Sequence, residues 1–338
     1  MAYEYDVYGI GNAIVDTEIH VDDDVLLANH IQKGVMTLVS EQRQQALARR
    51  LTRYAKHGAA GGSAANAMVG VAQFGGRAFF TGKIGGDEDG AVYRASLAEA
   101  GVDFEAAEVD GSPTGSSLIL VTPDGERTMQ TALGASDHLA VRDLDDRRIG
   151  QSQILYVEGY LLGSPRTEPV ARHAMDVARK ARVRVAMSLS DPGVVEGSIE
   201  AFRHATRERV DLLLCNEHEA AVYTGRTGRE EPLRELQADC SLVFMTCGAD
   251  GSLVGDAGTI TKVDGYKVPV VDTTGAGDLY AAGVLYGLTH GLTPAQAGKL
   301  GSFASARIVA QVGPRLAGPL PASVDAILGG AHPLDPPS

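Results

Sequence analysis

Only three cysteines, Cys215, Cys240 and Cys247, occur in 338 residues; they are odd in number, lie in or beside apolar runs and never form a Cys-x-x-Cys pair. That spacing supports neither a disulfide scaffold nor a zinc site, and it fits a reducing cytosol. Positive charge is also scarce. Lys and Arg number 30 against 43 Asp and Glu, a formal net charge of −13, which opposes binding to nucleic acid or to an acidic membrane face. No apolar run reaches the roughly 18 residues of a membrane span. The stretch Met1-Ala2-Tyr3-Glu4-Tyr5-Asp6 is acidic and lacks the basic flank and apolar core of an export signal. His138, His173, His204 and His290 stand singly, without metal-ligand spacing. A cytoplasmic protein acting on small molecules is the expectation, and any phosphate site must be local.

What the chain does have is a small-residue turn of unusual charge. Asp272-Thr273-Thr274-Gly275-Ala276-Gly277-Asp278 follows a strand-like run, Val268 to Val271, and precedes an apolar helix expected to begin at Asp278. Free amides at a helix start, backed by the positive end of the helix dipole, attract phosphate oxygens. Gly275 and Gly277 let the backbone approach closely. A carboxylate beside such an anion hole repels phosphate, so Asp278 reads as the group that takes a proton from a hydroxyl about to attack one. The competing reading makes Asp278 a helix cap, but a cap requires neither glycine and no paired Asp272.

Upstream, Val7 to Asp16 reads as a buried strand ending in polar residues. Its Gly9-x-Gly11 pair fails as a dinucleotide fingerprint because Ile14 replaces the third glycine and no helix pattern follows directly. Asn12 and Asp16 remain beyond the strand end, where open α/β sheets place ligand groups; Asp16 suits a sugar diol or, equally, starts a turn. Asp22-Asp23-Asp24 reads as a solvated turn. Ser40 to His57 reads as a helix with Ser40 as N-cap. Gly61-Gly62-Ser63-Ala64-Ala65-Asn66 opens a small-residue helix through Phe74, where backbone can approach a ligand and Asn66 lies one turn in, on the side of Gly62. Gly82-Lys83 is no P-loop, since Ile84 stands where Ser or Thr is needed. Thr114 to Val121 and Arg127 to Leu133 form a hairpin closed by Pro123-Asp124-Gly125-Glu126. These strands are too polar for a buried parallel sheet. Segments of about 17–39 and 112–134 are therefore assigned to a small β-strand lid that keeps water from a phosphoryl-transfer site.

From Ile154 onward, the apolar runs Ile154 to Val157, Val183 to Met187, Val210 to Leu214 and Leu242 to Met245 alternate with helical segments, the pattern of a mostly parallel sheet flanked by helices. Asn216 and Glu219 fall three apart at the start of a helix. They suit a hydrated Mg²⁺, although on the residues alone a capping box is the simpler reading. Thr246 to Ser252 is a Gly-rich turn between strands, fit for nucleotide contact or for a plain hairpin.

In this order the segments resemble the ribokinase-like family of carbohydrate and nucleoside kinases, also called the phosphofructokinase B family, from Tyr5 to about Pro321. The resemblance implies an α/β three-layer fold with a mostly parallel central sheet, in a single domain over 1–325, followed by a flexible tail over 326–338. It implies ATP-dependent phosphorylation of a primary hydroxyl, with Asp278 as base and the amides of Gly275, Ala276 and Gly277 as anion hole. Asn216 and Glu219 become the Mg²⁺ and phosphate site, and ATP lies around Thr246, Gly248 and Gly251. Asp272 and Thr274 are candidates for a monovalent cation, K⁺, as in related kinases. The start Gly11 to Asp16, the runs Tyr156 to Leu161 and Met187 to Pro192, and Asn216 to Ala221 are similar to the adenosine kinase branch. By that likeness Asn12, Asp16, Gly61, Gly62 and Asn66 hold ribose hydroxyls, and Arg127 on the lid meets the transferred phosphate. Ser63-Ala64-Ala65 departs from the animal enzymes and leaves the base open among adenosine, inosine, guanosine and a cytidine. The expected activity is phosphorylation of the 5′-hydroxyl of a purine nucleoside, adenosine first, by a monomer or homodimer. A kinase of ribose, fructose or a similar polyol is the alternative; a non-catalytic nucleoside or sugar sensor is the alternative of a different class.

Overall fold

Strand side chains alternate between two apolar cores, and that period of two sets the architecture. Ile154 and Tyr156 enter one core with Val7, Ala186 and Phe244, while Leu155 and Val157 enter the other with Tyr8, Val185 and Met187. A sheet apolar on both faces needs a helical layer on each. The computed structural model, which describes residues 3–52, 54, 56–124, 126–318, 320 and 322–335, has this arrangement. Its nine-stranded sheet runs in the order Thr259–Val263, Ser252–Asp256, Leu242–Thr246, Leu212–Asn216, Arg184–Ser188, Ser152–Val157, Tyr5–Ile10, Ala78–Thr81 and Asp103–Phe104. Ser252–Asp256 is antiparallel to both neighbours and every other pairing is parallel. Helices Ser63–Gln73, Ala276–Thr289 and Pro294–Val309 cover one face; Glu168–Ala181, Ile199–Arg209, Glu217–Thr224 and Glu230–Asp239 cover the other. The α/β expectation holds, and the four apolar runs each fall within two residues of an observed strand.

A second sheet of five strands, in the order Met36–Leu38, Arg127–Ala132, Gly115–Val121, Ile14–His20 and Lys56–Ala60, forms the lid. The predicted hairpin is present, with Arg127 paired to Val121 and Ala132 to Ser116; Gly125 in its turn lies outside the described residues. Leu118, Leu120 and Ile19 turn to a small core of their own with Val25, Leu26, Leu47 and Leu51. The alternate residues Ser117, Ile119, Arg127, Met129 and Asp16 therefore face the main body, where they line a cavity. A slip of one residue would reverse this assignment.

Four boundaries differ from the sequence expectations. Val7 to Asp16 is not one strand: pairing with the main sheet ends at Ile10, the chain crosses over, and Ile14–His20 joins the lid, so Asp16 is a lid residue. The helix expected to His57 is Glu41–Arg50, capped by Ser40 Oγ accepting Arg43 N–H. Lys56–Ala60 instead pairs antiparallel with Ile14–His20, a ladder that satisfies backbone groups a longer helix end would leave open. Val268 to Val271 forms no strand, and Val270 and Val271 are 67% and 56% exposed. The tail expected to be flexible over 326–338 begins inside helix Val324–Gly329. Its Ile327 is buried against Leu300 and Phe303, and Lys299 Nζ donates to Leu328 O at 3.0 Å. Tail residues 336–338 lie outside the described residues. Asp22 precedes a short helix, Asp23–Ala28; among the described residues no group of three or more His, Cys, Asp or Glu is arranged to hold a metal. The three cysteines are free and buried. Among the described residues no helix is long and apolar enough to cross a membrane.

Candidate active site

The helix after the Gly-rich turn begins at Ala276, two residues earlier than expected, and Asp278 sits in its first turn without capping it. Gly275 precedes it with φ of 77°, a left-handed conformation suited to glycine. A Cβ there would meet Pro314 O at 2.5 Å. First-turn amides have no intrahelical acceptor, so the turn presents N–H groups beside Asp278. The Asp278 carboxylate is bound on both oxygens: Ser63 Oγ donates to Oδ1 at 2.6 Å and Asn66 Nδ2 to Oδ2 at 2.9 Å. Burial raises its pKa, while the bonds from Ser63 and Asn66 and the charge of Arg315 pull it back down. These donors favour the ionised form a base must start from.

On one side of the turn, beneath the lid, lies a cavity of about 570 Å³ lined by Asn12, Asp16, Gly62, Asn66, Arg127, Thr274, Gly275 and Asp278 among others. Asn12 is held by Glu158, whose Oε1 accepts both Asn12 N–H groups, at 3.0 Å from the side chain and 3.2 Å from the backbone; Oε2 accepts from Ala64 N at 2.9 Å. Gly62 has φ of 85°, and a Cβ there would lie 2.3 Å from Asn12 O. A Cβ at Gly61 would lie 2.0 Å from Asp16 Oδ2, so both glycines let the substrate loop close on its neighbours. The Asp16 carboxylate accepts no hydrogen bond among the described residues and faces the cavity; burial pushes its pKa up to about 7. The lid contributes an apolar wall of Ile14, Met36, Leu38, Ile119, Met129 and Leu133.

On the other side, a cavity of about 450 Å³ is lined by Thr246, Gly248, Gly251, Val268, Val270, Ala276 and Gly277, with Thr273 common to both cavities. Val268 and Val270, from the run that forms no strand, thus belong to a cavity wall. Ala276 N–H donates to Thr273 O at 3.2 Å, whereas first-turn N–H groups beyond it have no intrahelical acceptor; two hollows meeting at this turn beside a carboxylate can bring a donor phosphate and an acceptor hydroxyl together.

A family model described as pfkB family carbohydrate kinase matches residues 40–321. The chain belongs to this family. Members phosphorylate alcohol groups of sugars or nucleosides, and this chain is a phosphotransferase with an alcohol acceptor. It is similar to a solved adenosine kinase from Sinorhizobium meliloti, with 38% identity, 97% of this chain and 100% of that one covered, and a TM-score of 0.90. A probable sugar kinase from Rhizobium etli gives 33% identity, 97% and 99% coverage, and the same TM-score, 0.90. A 5-dehydro-2-deoxygluconokinase of Bacillus subtilis is 31% identical over 74% of this chain and 80% of its own length.

Family kinases use ATP, typically with Mg²⁺. In this pfkB kinase Asn216 and Glu219 border neither cavity, and they form the capping box that the residues alone suggest: Asn216 Oδ1 accepts from His218 and Glu219 N–H, and Glu219 Oε2 from Asn216 N–H. Glu219 is nevertheless buried, with its pKa raised to about 7 by burial, by Asp191 and by Asp278. Asn216 donates to both Glu219 oxygens, from its backbone N–H to Oε2 at 3.0 Å and from Nδ2 to Oε1 at 2.8 Å, and the lone pairs left over suit the waters of a hydrated divalent cation, which takes few protein ligands. Asp272 and Thr274 do not fit K⁺. Asp272 Oδ1 accepts from the Thr274 amide and hydroxyl at 2.8 and 2.7 Å and also pairs with Arg127; Oδ2 accepts from Gly313 N–H at 2.8 Å. Arg127 lines the acceptor cavity but is engaged with Asp272 and, at 3.0 Å, with Glu18.

Three residues of the kinase site escaped the sequence reading. Ser63 follows Gly61-Gly62 at a helix start, a signal already present. Glu158 is a lone acid at a strand end, the same signal that picked out Asn12. Arg315 lies in an irregular segment with neither period nor motif. Lys83, rejected as a P-loop lysine, is 4% exposed and pairs with Asp143 at 2.7 Å.

Proposed function

We propose that this kinase transfers the γ-phosphoryl group of ATP to the 5′-hydroxyl of a purine nucleoside, adenosine first. The observation that carries the reading is the lid wall of Ile14, Met36, Leu38, Ile119, Met129 and Leu133 facing the acceptor cavity. A bare sugar would leave that surface wet, whereas a planar base covers it. The similarity to the S. meliloti adenosine kinase supports it. In this mechanism Asn12 and Asp16 take the ribose hydroxyls, and Asp278 accepts the 5′-hydroxyl proton through a lone pair not used by Ser63 or Asn66. The amides of Gly275, Ala276 and Gly277 receive the charge of the transferred group, so the chain acts mainly by positioning and fixed dipoles. Arg127 reaches that group by leaving Asp272. ATP occupies the cavity at Thr246, Gly248 and Gly251; Asn216 and Glu219 would hold Mg²⁺, which would supply neutralisation of phosphate charge.

A sugar kinase is the second reading. It is favoured by the sugar-kinase names of two similar proteins and by Glu158 on the cavity floor, a carboxylate that suits a further hydroxyl. The test is ADP release with Mg·ATP and a panel of adenosine, inosine, guanosine, cytidine, ribose, fructose and 5-dehydro-2-deoxygluconate. Turnover of adenosine without the sugars is expected; the reverse overturns the nucleoside reading, and ADP release with none of them favours a sensor.

A further inference from the structure

Behind the site, residues 311–317 run between the two loops that the chemistry requires. Gly313 N–H donates to Asp272 Oδ2 at 2.8 Å. Pro314 packs against Gly275, where it would lie within 3.0 Å of an added Cβ. Arg315 then turns the other way into the substrate loop: its Nε donates to Asn66 Oδ1 at 2.8 Å, Nη1 to Ser96 Oγ at 2.9 Å and Nη2 to Gly61 O at 3.0 Å. Its guanidinium lies 5.8 Å from the centroid of the Tyr93 ring, and Tyr93 Oη donates to the same Gly61 carbonyl at 3.1 Å.

An amide side chain has one acceptor and one donor end. Because Arg315 occupies Asn66 Oδ1, the Nδ2 group of Asn66 must point at Asp278. We propose that Arg315 is a positioning residue for phosphoryl transfer, fixing the Asn66 amide so that it donates to Asp278 and, with Gly313 and Pro314, tying the anion-hole turn to the substrate loop. A rigid planar fork suits this task, since three acceptors in different directions are held at once. The inference rests on Asp278 as base.

The experiment compares Arg315→Met, Arg315→Lys, Asn66→Ala and the Arg315→Met/Asn66→Ala double variant, with Asp278→Asn as control, using Mg·ATP and adenosine or whichever acceptor of the panel turns over. Arg315→Met is expected to lower kcat about 10–100-fold, leave KM for ATP unchanged and move the acidic limb of the kcat–pH profile to higher pH. Asp16, Glu158 and Glu219 also act electrostatically on Asp278, so that limb belongs to the set, and its displacement on loss of the cation is what is read. Arg315→Lys keeps the charge and is expected to restore the limb but not kcat. The double variant should be little slower than Asn66→Ala, because Arg315 acts through Asn66. Wild-type kcat and limb in Arg315→Met, or losses that multiply in the double variant, would overturn the proposal. If the Met variant does not fold, wild-type kcat in Arg315→Lys does so. An active Asp278→Asn would instead remove the base assignment beneath it.

Discussion

Two glycines of the phosphate turn stand two residues apart, and the structure assigns them opposite responses to the same methyl group. At Gly275 φ is 77°, and a Cβ would meet backbone: Pro314 O at 2.5 Å, Cα at 2.9 Å and C at 3.0 Å. Holding an L-residue in the left-handed region costs about 1–2 kcal/mol and overpacking against an unyielding neighbour about 1–3 kcal/mol, so Gly275→Ala should destabilise the fold by about 2–5 kcal/mol. For 338 residues, 1 kcal/mol corresponds to about 1.4 °C in Tm, which places the expected loss at about 3–7 °C. The turn and residues 313–315 must also part, carrying the anion-hole amides with them, and turnover should fall about 10²-fold or more. At Gly277 no atom lies within 4 Å of an added Cβ, and the residue is exposed on the wall of the nucleotide cavity. Gly277→Ala should be neutral or stabilising by up to about 1 kcal/mol, yet the methyl group stands where phosphate comes closest. A loss of about 1.4 kcal/mol in that approach raises KM for ATP tenfold. Thermal melts at one scan rate and initial rates against ATP measure both quantities. A Gly275→Ala protein with wild-type Tm and turnover, or a Gly277→Ala protein with unchanged KM for ATP, would refute the assignment of the turn.

Asp278→Asn should cut kcat by about 10²–10⁴, the usual contribution of a general base, with acceptor affinity little changed; full turnover would remove Asp278 from the chemistry. Burial raises the pKa values of Asp16, Glu158 and Glu219 to about 7, above their unfolded values near 4. A carboxyl shifted upward stabilises the fold in its protonated form, so that contribution is present at low pH and lost as pH rises through about 7. Tm of the ligand-free kinase should therefore fall between about pH 4 and 7, less steeply in Asp16→Asn, which should also raise acceptor KM; a Tm that climbs with pH, or an Asp16→Asn slope equal to wild type, would contradict this. Replacing K⁺ by a tetraalkylammonium ion should leave initial rates unchanged, because Thr274 and Gly313 occupy the two Asp272 oxygens even when Arg127 leaves for the transferred group. A requirement for K⁺ would show that Asp272 takes a cation once Arg127 has left it.

Much of this was readable from the residues, and the reason lies in how the information is stored. The parallel strands declare themselves as apolar runs because both their faces are buried, and Leu242 to Met245 differs from the observed Leu242–Thr246 by one residue. The Gly-rich turn and Asp278 declare themselves because glycines beside a carboxylate have few other uses. Lys56–Ala60 did not, because its identity as a strand depends on the distant partner Ile14–His20, while the local pattern of Ser40 to Arg50 simply continues as helix. Val268 to Val271 misled for a related reason: an apolar run does not by itself supply a ladder partner, and here Val268 and Val270 border the second cavity instead. Arg315 could not be found by spacing, since its three acceptors come from Gly61, Asn66 and Ser96, more than two hundred positions away.

The turn itself does not choose its substrate. In the mechanism proposed above, the amides from Gly275 to Gly277 and the Asp278 carboxylate act on any hydroxyl delivered within reach, so discrimination must lie where the acceptor cavity varies, on the lid. There the period-two register places Asp16, Ser117, Ile119, Arg127 and Met129 on the inner face while Leu118 and Leu120 hold the lid's own core. The two sets alternate along the same strands, and the inner residues can change without disturbing the core. One fold can then serve nucleoside and sugar by exchange of the inner face alone. Here that face is mixed, with Asp16 and Arg127 near the turn and Ile119, Met129 and Met36 adding an apolar surface. On the nucleoside reading proposed above, diol recognition is thereby kept at the reacting end, and the lid's apolar residues are left to cover a base.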